Sequence, residues 1–508
     1  MSPCKGHSAY YKVLCCFIAA AMLVSVPLPR LGWAGGEHGG MEHGGSEFKE
    51  LHSNWYDPFY PLGQTKGASR LSDVPVPFQG VDKIPPRPKL HLELGDPFLD
   101  SGNLFPGFEL PTGAVWQPRL WSYMIYRTAL HSFEVNADSR TSEWVHRLDT
   151  YTSLQLTGTE RILVSFRPLD KNRFDQFTRF DLEDPNNDEG FRQEFNLNLR
   201  ALFMEGDMGS LFPFLDPEGM RPMDFGFSVG RQNLNFQDGI MLNDDMDALA
   251  IVRNNIRIPA IGISNLRITG MWAWKGNDRG GGITPPNRRS PEADVFGLFN
   301  SADFHKSTIN IDGIFISDNK TNGGDAFYTG VSSIQRMGAF NTTFRWLGSY
   351  AEDSTTPQTG SGQLLTGEIS WTPHSSDDVV YFNPFIAFGN YTQAGREPIL
   401  GGPLAPLGIL FASPNLGDYR GEIGGAAQDV FGAATGYQAF WNDHHTNLVL
   451  ETSFRKDYGG RGTGVWGAGF QLQQKLGQHV QLQFEAFASL QENRKRGYGG
   501  RSEILLVF

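Results

Sequence analysis

From about residue 114 to its end, the chain alternates apolar and polar positions with a period of two. Phe195, Leu197 and Leu199 fall on one face of Phe191–Arg200, while Arg192, Glu194, Asn196, Asn198 and Arg200 fall on the other. Asn265–Lys275 sets Leu266, Ile268, Trp272 and Trp274 against Arg267, Thr269 and Lys275. Phe340–Tyr350, Asn447–Arg455 and Val480–Leu490 repeat the pattern. Such alternation predicts strands with one apolar face. A soluble sandwich would alternate too, but here the polar faces carry charges beside small residues, as a wet lumen requires, and aromatics gather near strand ends, as at a membrane interface. Connections also alternate. Leu156–Glu160 and Lys475–Gln478 are tight, whereas Gly276–Glu292, Asp318–Asp325 and Thr392–Asp429 are long and expected on the extracellular side. The prediction is an all-β fold: a transmembrane, antiparallel, up-and-down β-barrel over 114–508, with about 18 strands (within about 14–20). The loop Thr392–Asp429 contains Leu404, Pro406, Leu407, Ile409 and Leu410 and is too apolar to stand free in water, so it is expected to fold inward and narrow the channel.

The two ends of the chain agree with this reading. Ile504, Leu506 and Phe508 share one face, and the chain stops on the aromatic. This resembles the C-terminal strand that the barrel-assembly machinery recognises in outer-membrane proteins, and a last strand must pair with the first to leave no open edge in lipid. Residues 1–34 read as a cleaved secretory signal: Lys5 and Lys12, an apolar stretch Val13–Val26, then Gly32-Trp33-Ala34. Residues 35–113 form an irregular segment, opening with a Gly/His/Glu tract and continuing with ten prolines between Pro58 and Pro111, which deny ladder hydrogen bonds. The partners implied are a lipid bilayer and the assembly machinery, and the expected location is a bacterial outer membrane.

Composition narrows the chemistry. All three cysteines (Cys4, Cys15, Cys16) lie in the signal, so disulfides, thiolate metal sites and c-type haem attachment are not expected in the mature chain. The net charge of −12 becomes −15 once the three basic residues of the signal are removed, which argues against a nucleic-acid partner. His38, His43 and His52 with Glu37 and Glu42 are competent metal ligands. A glycine-rich stretch loses much entropy in organising them, so a solvated linker is expected and no metal or cofactor is assigned. No strand-to-helix nucleophile elbow is read, since Gly226-Phe227-Ser228-Val229-Gly230 lies within the Met223–Gly239 strand run, and no enzyme is predicted.

The run Met223–Gly239 is the most distinctive in the barrel: a strand, then Gly230-Arg231-Gln232, then Asp238-Gly239. It resembles the Gly-Arg-Gln strand motif of the alginate-export family of outer-membrane channels, although that family has Gly-Asp where this chain has Asp-Gly. The resemblance implies passage of an anionic polysaccharide through an arginine-containing lumen, with a periplasmic export partner. Alternation points Arg147, Arg167, Arg192, Arg200, Arg267, Arg345 and Arg455 inward, where guanidinium groups suit carboxylates. Arg192, Arg200, Arg267 and Arg345 are expected to share one lumen. The plainer alternative is that arginines pair with Asp149, Glu194, Glu451 and Glu485 and stiffen the wall. Besides a channel for a polysaccharide or small anions, two classes remain open: a sheath around an electron-transfer cytochrome partner, and an adhesin or receptor working through its loops.

Overall fold

The computed structural model describes residues 87–508 except 101–103, 135–139, 172–176, 184–188, 216–223, 280–292, 319–322, 353–358, 374–375, 420, 422, 443, 461–463 and 493–495. The signal 1–34, the Gly/His/Glu tract and most of the proline-rich segment therefore lie outside the described residues.

Eighteen antiparallel strands close one barrel. β1 (Arg119–Glu134) and β2 (Arg140–Gln155) form the first hairpin. β3 comes in two pieces, Arg161–Phe166 and Thr178–Glu183, and so does β4, Gly190–Arg192 and Leu199–Asp207. The wall continues through β5 (Phe225–Phe236), β6 (Leu242–Ile258), β7 (Ile263–Lys275), β8 (Asp294–Asp303) and β9 (Ser307–Ser317). β10 (Ala326–Met337), β11 (Phe340–Ala351), β12 (Gly362–Trp371) and β13 (Val379–Tyr391) follow. After the long loop come β14 (Ala427–Trp441), β15 (Thr446–Asp457), β16 (Gly464–Leu476), β17 (Val480–Gln491) and β18 (Gly497–Val507). Phe191–Arg200, which alternates as cleanly as any run, is not one strand: residues 193–198 leave the ladder between the pieces of β4. Alternation reports which face a residue prefers, and it does not report whether the neighbouring strand continues.

β18 closes on β1 from Tyr498↔Glu134 to Val507↔Ile125. Phe508 then exchanges both backbone hydrogen bonds with Met124, at 2.9 and 3.1 Å. Beyond the chain end, a short strand Leu92–Leu94 takes over the same edge, pairing with Leu120–Ser122. So part of the segment before the barrel completes its seam.

The outer face is apolar and open to the surroundings: Leu130, Trp144, Trp272, Phe296, Ile311, Phe382, Leu450, Trp466, Phe484 and Ile504 are all exposed. An apolar belt of this kind on a closed barrel belongs in lipid. The inner face is not uniformly polar, contrary to a simple wet lumen. Met271, Ala273, Val295, Ile314, Ile316, Leu347, Phe385, Ala387 and Phe487 point inward and are buried in one continuous cluster. Two inward elements cover them. One is the end of the β5–β6 hairpin: β6 begins to pair with β7 only at Asp247↔Lys275, and its first residues pair instead with Gly395–Arg396. The hairpin tip reaches across to Asp312 on β9 and Arg345 on β11. The other is the loop between β13 and β14, which folds inward as its composition predicts, burying Leu404, Leu407, Leu410, Phe411, Leu416 and Ile423.

Candidate functional site

Where the two inward elements narrow the lumen, the wall on the side away from the apolar cluster is built of arginines. Going round the barrel, β18 supplies Arg501, β1 Arg127 and β2 Arg147; Arg167 follows the first piece of β3, and β4 supplies Arg200. Alternation explains their direction. Arg127 stands opposite Arg147 across the β1–β2 ladder, on the face that also carries Ala129, His131, Val145 and Glu143, all buried.

These guanidiniums are interleaved with carboxylates. Arg147 Nε and Arg167 Nε reach Asp149 at 2.6 and 3.0 Å, Arg127 Nε reaches Glu503 at 2.5 Å, and Arg501 bonds Glu503 and Glu485. Nearer the far rim, Arg179 on the second piece of β3 holds Asp181 at 2.8 Å and Glu143 at 3.3 Å, and Glu143 holds His131 at 2.6 Å. A row of like charges across neighbouring strands would repel at this spacing, and the alternating acids keep it together.

The 392–429 loop lies against this row with its polar side. Arg127 donates to Pro414 O and Arg147 to Asn415 O, at 3.0 and 2.8 Å. Glu397 takes Arg167 Nη1 at 3.3 Å and also bonds Arg200, while Asp418 takes Arg179 Nη1 at 3.0 Å. Burial alone would push the Glu397 carboxyl up, but Arg200, Arg167 and Arg147 together hold it well below the usual carboxylate range. Burial pulls the neighbouring Arg396 guanidinium down to about 10. On its other side the loop is fixed by Glu451, which accepts Ile409 N, Leu410 N, Ser453 Oγ and the Tyr381 hydroxyl at 2.5–3.0 Å. Glu451 was expected to meet an arginine across the lumen; it caps loop amides instead.

The sequence-predicted arginines end in different surroundings. Arg147, Arg167 and Arg200 stand in the row. Arg192 bonds Asp181 near the far rim. Arg345 is buried on the opposite wall between Asp238 and Glu368, and Arg455 donates to Ala426 O. Arg267 lines a cavity of about 900 Å³ at the end where the first strand begins and the last strand ends, among Glu205, Asp207, Asp224 and Asp312. Thus Arg192, Arg200, Arg267 and Arg345 do not meet at one level of the lumen; they stand at different depths along the barrel. Arg127, Arg179, Arg501 and Glu397 were missed. The first and third share an alternating face with Ala129 and Glu503, a legible signal, whereas Glu397 sits in a loop with no periodicity.

The Gly230–Gly239 motif has a structural use here. Gln237, Asp238 and Gly239 all have positive φ (54°, 52° and 75°) and form the turned-in tip of the β5–β6 hairpin. Asp238 bonds Arg345, and Gly239 O accepts from Gln393 and Arg396. Arg231 Nε bonds Asp247 on the facing strand at 2.6 Å.

No protein-family model and no curated protein sequence matches the chain, so the alginate-export resemblance gains no support. Solved structures do match in fold. The Pseudomonas aeruginosa channel OccK2 (OpdF), also solved in complex with glucuronate, is 11% identical with a TM-score of 0.52, over 77% of this chain and 97% of its own. A BenF-like porin from Pseudomonas fluorescens Pf-5 gives 10% and 0.53, over 77% and 98%. Pseudomonas aeruginosa OpdK, solved with vanillate, gives 9% and 0.51, over 76% and 98%. The architecture is that of an outer-membrane porin with a narrowed lumen.

Proposed function

We propose that this protein is a bacterial outer-membrane channel for small anionic solutes, chiefly carboxylates. One observation carries the reading: Arg501, Arg127, Arg147, Arg167 and Arg200 stand on successive strands at the level where the loop narrows the lumen. Guanidiniums held in a constriction act through a less screening medium than bulk water, so they bias which ions pass. Two neighbours of the same fold were solved with carboxylate-bearing molecules, vanillate and glucuronate, which agrees with this chemistry. The inward hairpin tip and loop both fill part of the lumen, which favours small solutes over a polysaccharide chain or an enclosed cytochrome. The short connections lie at the end where the first strand begins and the last strand ends, which is assigned to the periplasm.

The test is reversal potential in planar bilayers under a potassium chloride gradient. Wild type should prefer chloride. Arg127→Gln/Arg147→Gln/Arg167→Gln should lower the anion preference roughly tenfold, the factor that about 1.4 kcal/mol of lost attraction implies. Arg267→Gln, in the wide cavity, should change it little. Cation preference in wild type would overturn the proposal.

A further inference from the structure

The loop residues that touch the arginine row share one chemistry. Two are carboxylates, Glu397 and Asp418, and two are carbonyl oxygens, Pro414 O and Asn415 O. Toward the guanidiniums every one is an acceptor, and between them they meet Arg127, Arg147, Arg167, Arg179 and Arg200. The loop thus presents to the wall what a passing carboxylate would present. Its opposite side is apolar and locked: Leu404, Leu407, Leu410 and Phe411 belong to the buried cluster, and Glu451 holds the Ile409 and Leu410 amides.

Resting on the channel reading above, we propose that Glu397 is a tethered stand-in for the solute: it fills a carboxylate subsite made by Arg167 and Arg200, and a carboxylate solute passes by exchanging with it. Asp418 does the same for Arg179. Charge favours exchange over simple addition. Around Arg147, Arg167 and Arg200 lie Asp149, Asp170, Asp245 and Glu397, so four acids already outnumber three guanidiniums, and a further carboxylate would arrive unbalanced. Swapping one carboxylate for another leaves the buried charge unchanged, which avoids the penalty of an unpaired buried ion. Arg200 also keeps spare donors: its Nε and Nη1 are buried without a hydrogen-bond partner among the described residues. Once Glu397 turns aside, these donors add to what an incoming carboxylate can take. The motion required is rotation of one side chain, since the apolar side of the loop stays in place.

The exchange predicts that the resident acid lowers affinity for the solute. Glucuronate serves as the probe, with glucose as the analogue lacking a carboxylate, and the readout is block of single-channel current. Wild type should be blocked by glucuronate and not by glucose. Glu397→Gln keeps size and polarity but vacates the charge, so its apparent glucuronate dissociation constant should fall about tenfold, with glucose still inert. Asp418→Asn should shift it in the same direction and serves as the test should Glu397→Gln fail to assemble. Glu492→Gln, at an exposed pair with Lys456, should leave it unchanged. Unchanged or weaker glucuronate block in both loop variants overturns the exchange while leaving the channel reading intact. No block of wild type together with cation preference would instead overturn the channel reading itself.

Discussion

Glu451 shows how much one buried side chain can organise. Four donors converge on it, two of them loop amides, and a hydrogen bond to a charged group contributes about 1.5–3 kcal/mol. Glu451→Gln turns one acceptor into a donor facing donors. It should cost about 2 kcal/mol or more and expose the loop near Leu410 to protease, while the barrel itself still forms. Glu397 makes a pH prediction. Its carboxyl is held below the usual range, so its contribution is fully present above the ordinary carboxylate pKa and is lost only as pH falls through the lowered value. Current block by glucuronate should therefore be the same at pH 7 and pH 5, whereas a freely titrating carboxyl would begin to release in that interval. The sequence told which arginines turn inward because alternation is local. It did not tell which acids they meet: Asp149 lies two residues from Arg147, but Glu397 lies 230 residues from Arg167.

Among the elements, the 392–429 loop was readable because Leu404, Leu407 and Leu410 have no place in a free loop. The inward hairpin tip was not. Residues 237–241 look like any short Asp-Gly turn, and only distant contacts to Asp312 and Arg345 reveal where it goes. Gly417 brings the loop close against the wall. Its φ is +67°, and a side chain there would meet Glu143 and His131 with no room. Gly417→Ala should lift this end of the loop and break the Asp418–Arg179 contact. With the native cysteines confined to residues 1–34, a Leu416→Cys reporter tests this. It should resist a maleimide in the parent protein, where Leu416 is fully buried, and react readily beside Gly417→Ala. Equal protection in both would show that the loop end tolerates the change.

At the scale of the whole molecule, alternation, turn spacing and the terminal phenylalanine were enough for a closed barrel of eighteen strands. They sufficed because every strand obeys the same two-sided constraint, lipid outside and lumen or inward loops inside. What escaped was the uneven filling of that lumen, apolar on one side and ionic on the other, since both fillings come from segments remote from the walls they cover. Deleting Phe508 removes both backbone bonds to Met124 at the seam. It should reduce the amount of heat-modifiable, folded protein in the membrane; an unchanged yield would place the assembly signal elsewhere.

The seam has a further consequence, because the arginine row crosses it. Arg501 stands on the last strand and Arg127 on the first, and Glu503, two residues from Arg501, bonds both, reaching Arg127 across a separation of 376 residues. Joining such distant points costs about 5 kcal/mol in chain entropy, a toll collected only when the final strand docks. Until then the two halves of the filter are strangers, and a half-built wall has neither the charge pattern nor the loop contacts that sort solutes. On the proposed channel reading, completion of the shell and onset of discrimination are thus a single event. A cell inserting this protein would gain a sieve all at once or not at all, and a stalled intermediate would be set apart from the finished pore by how it conducts.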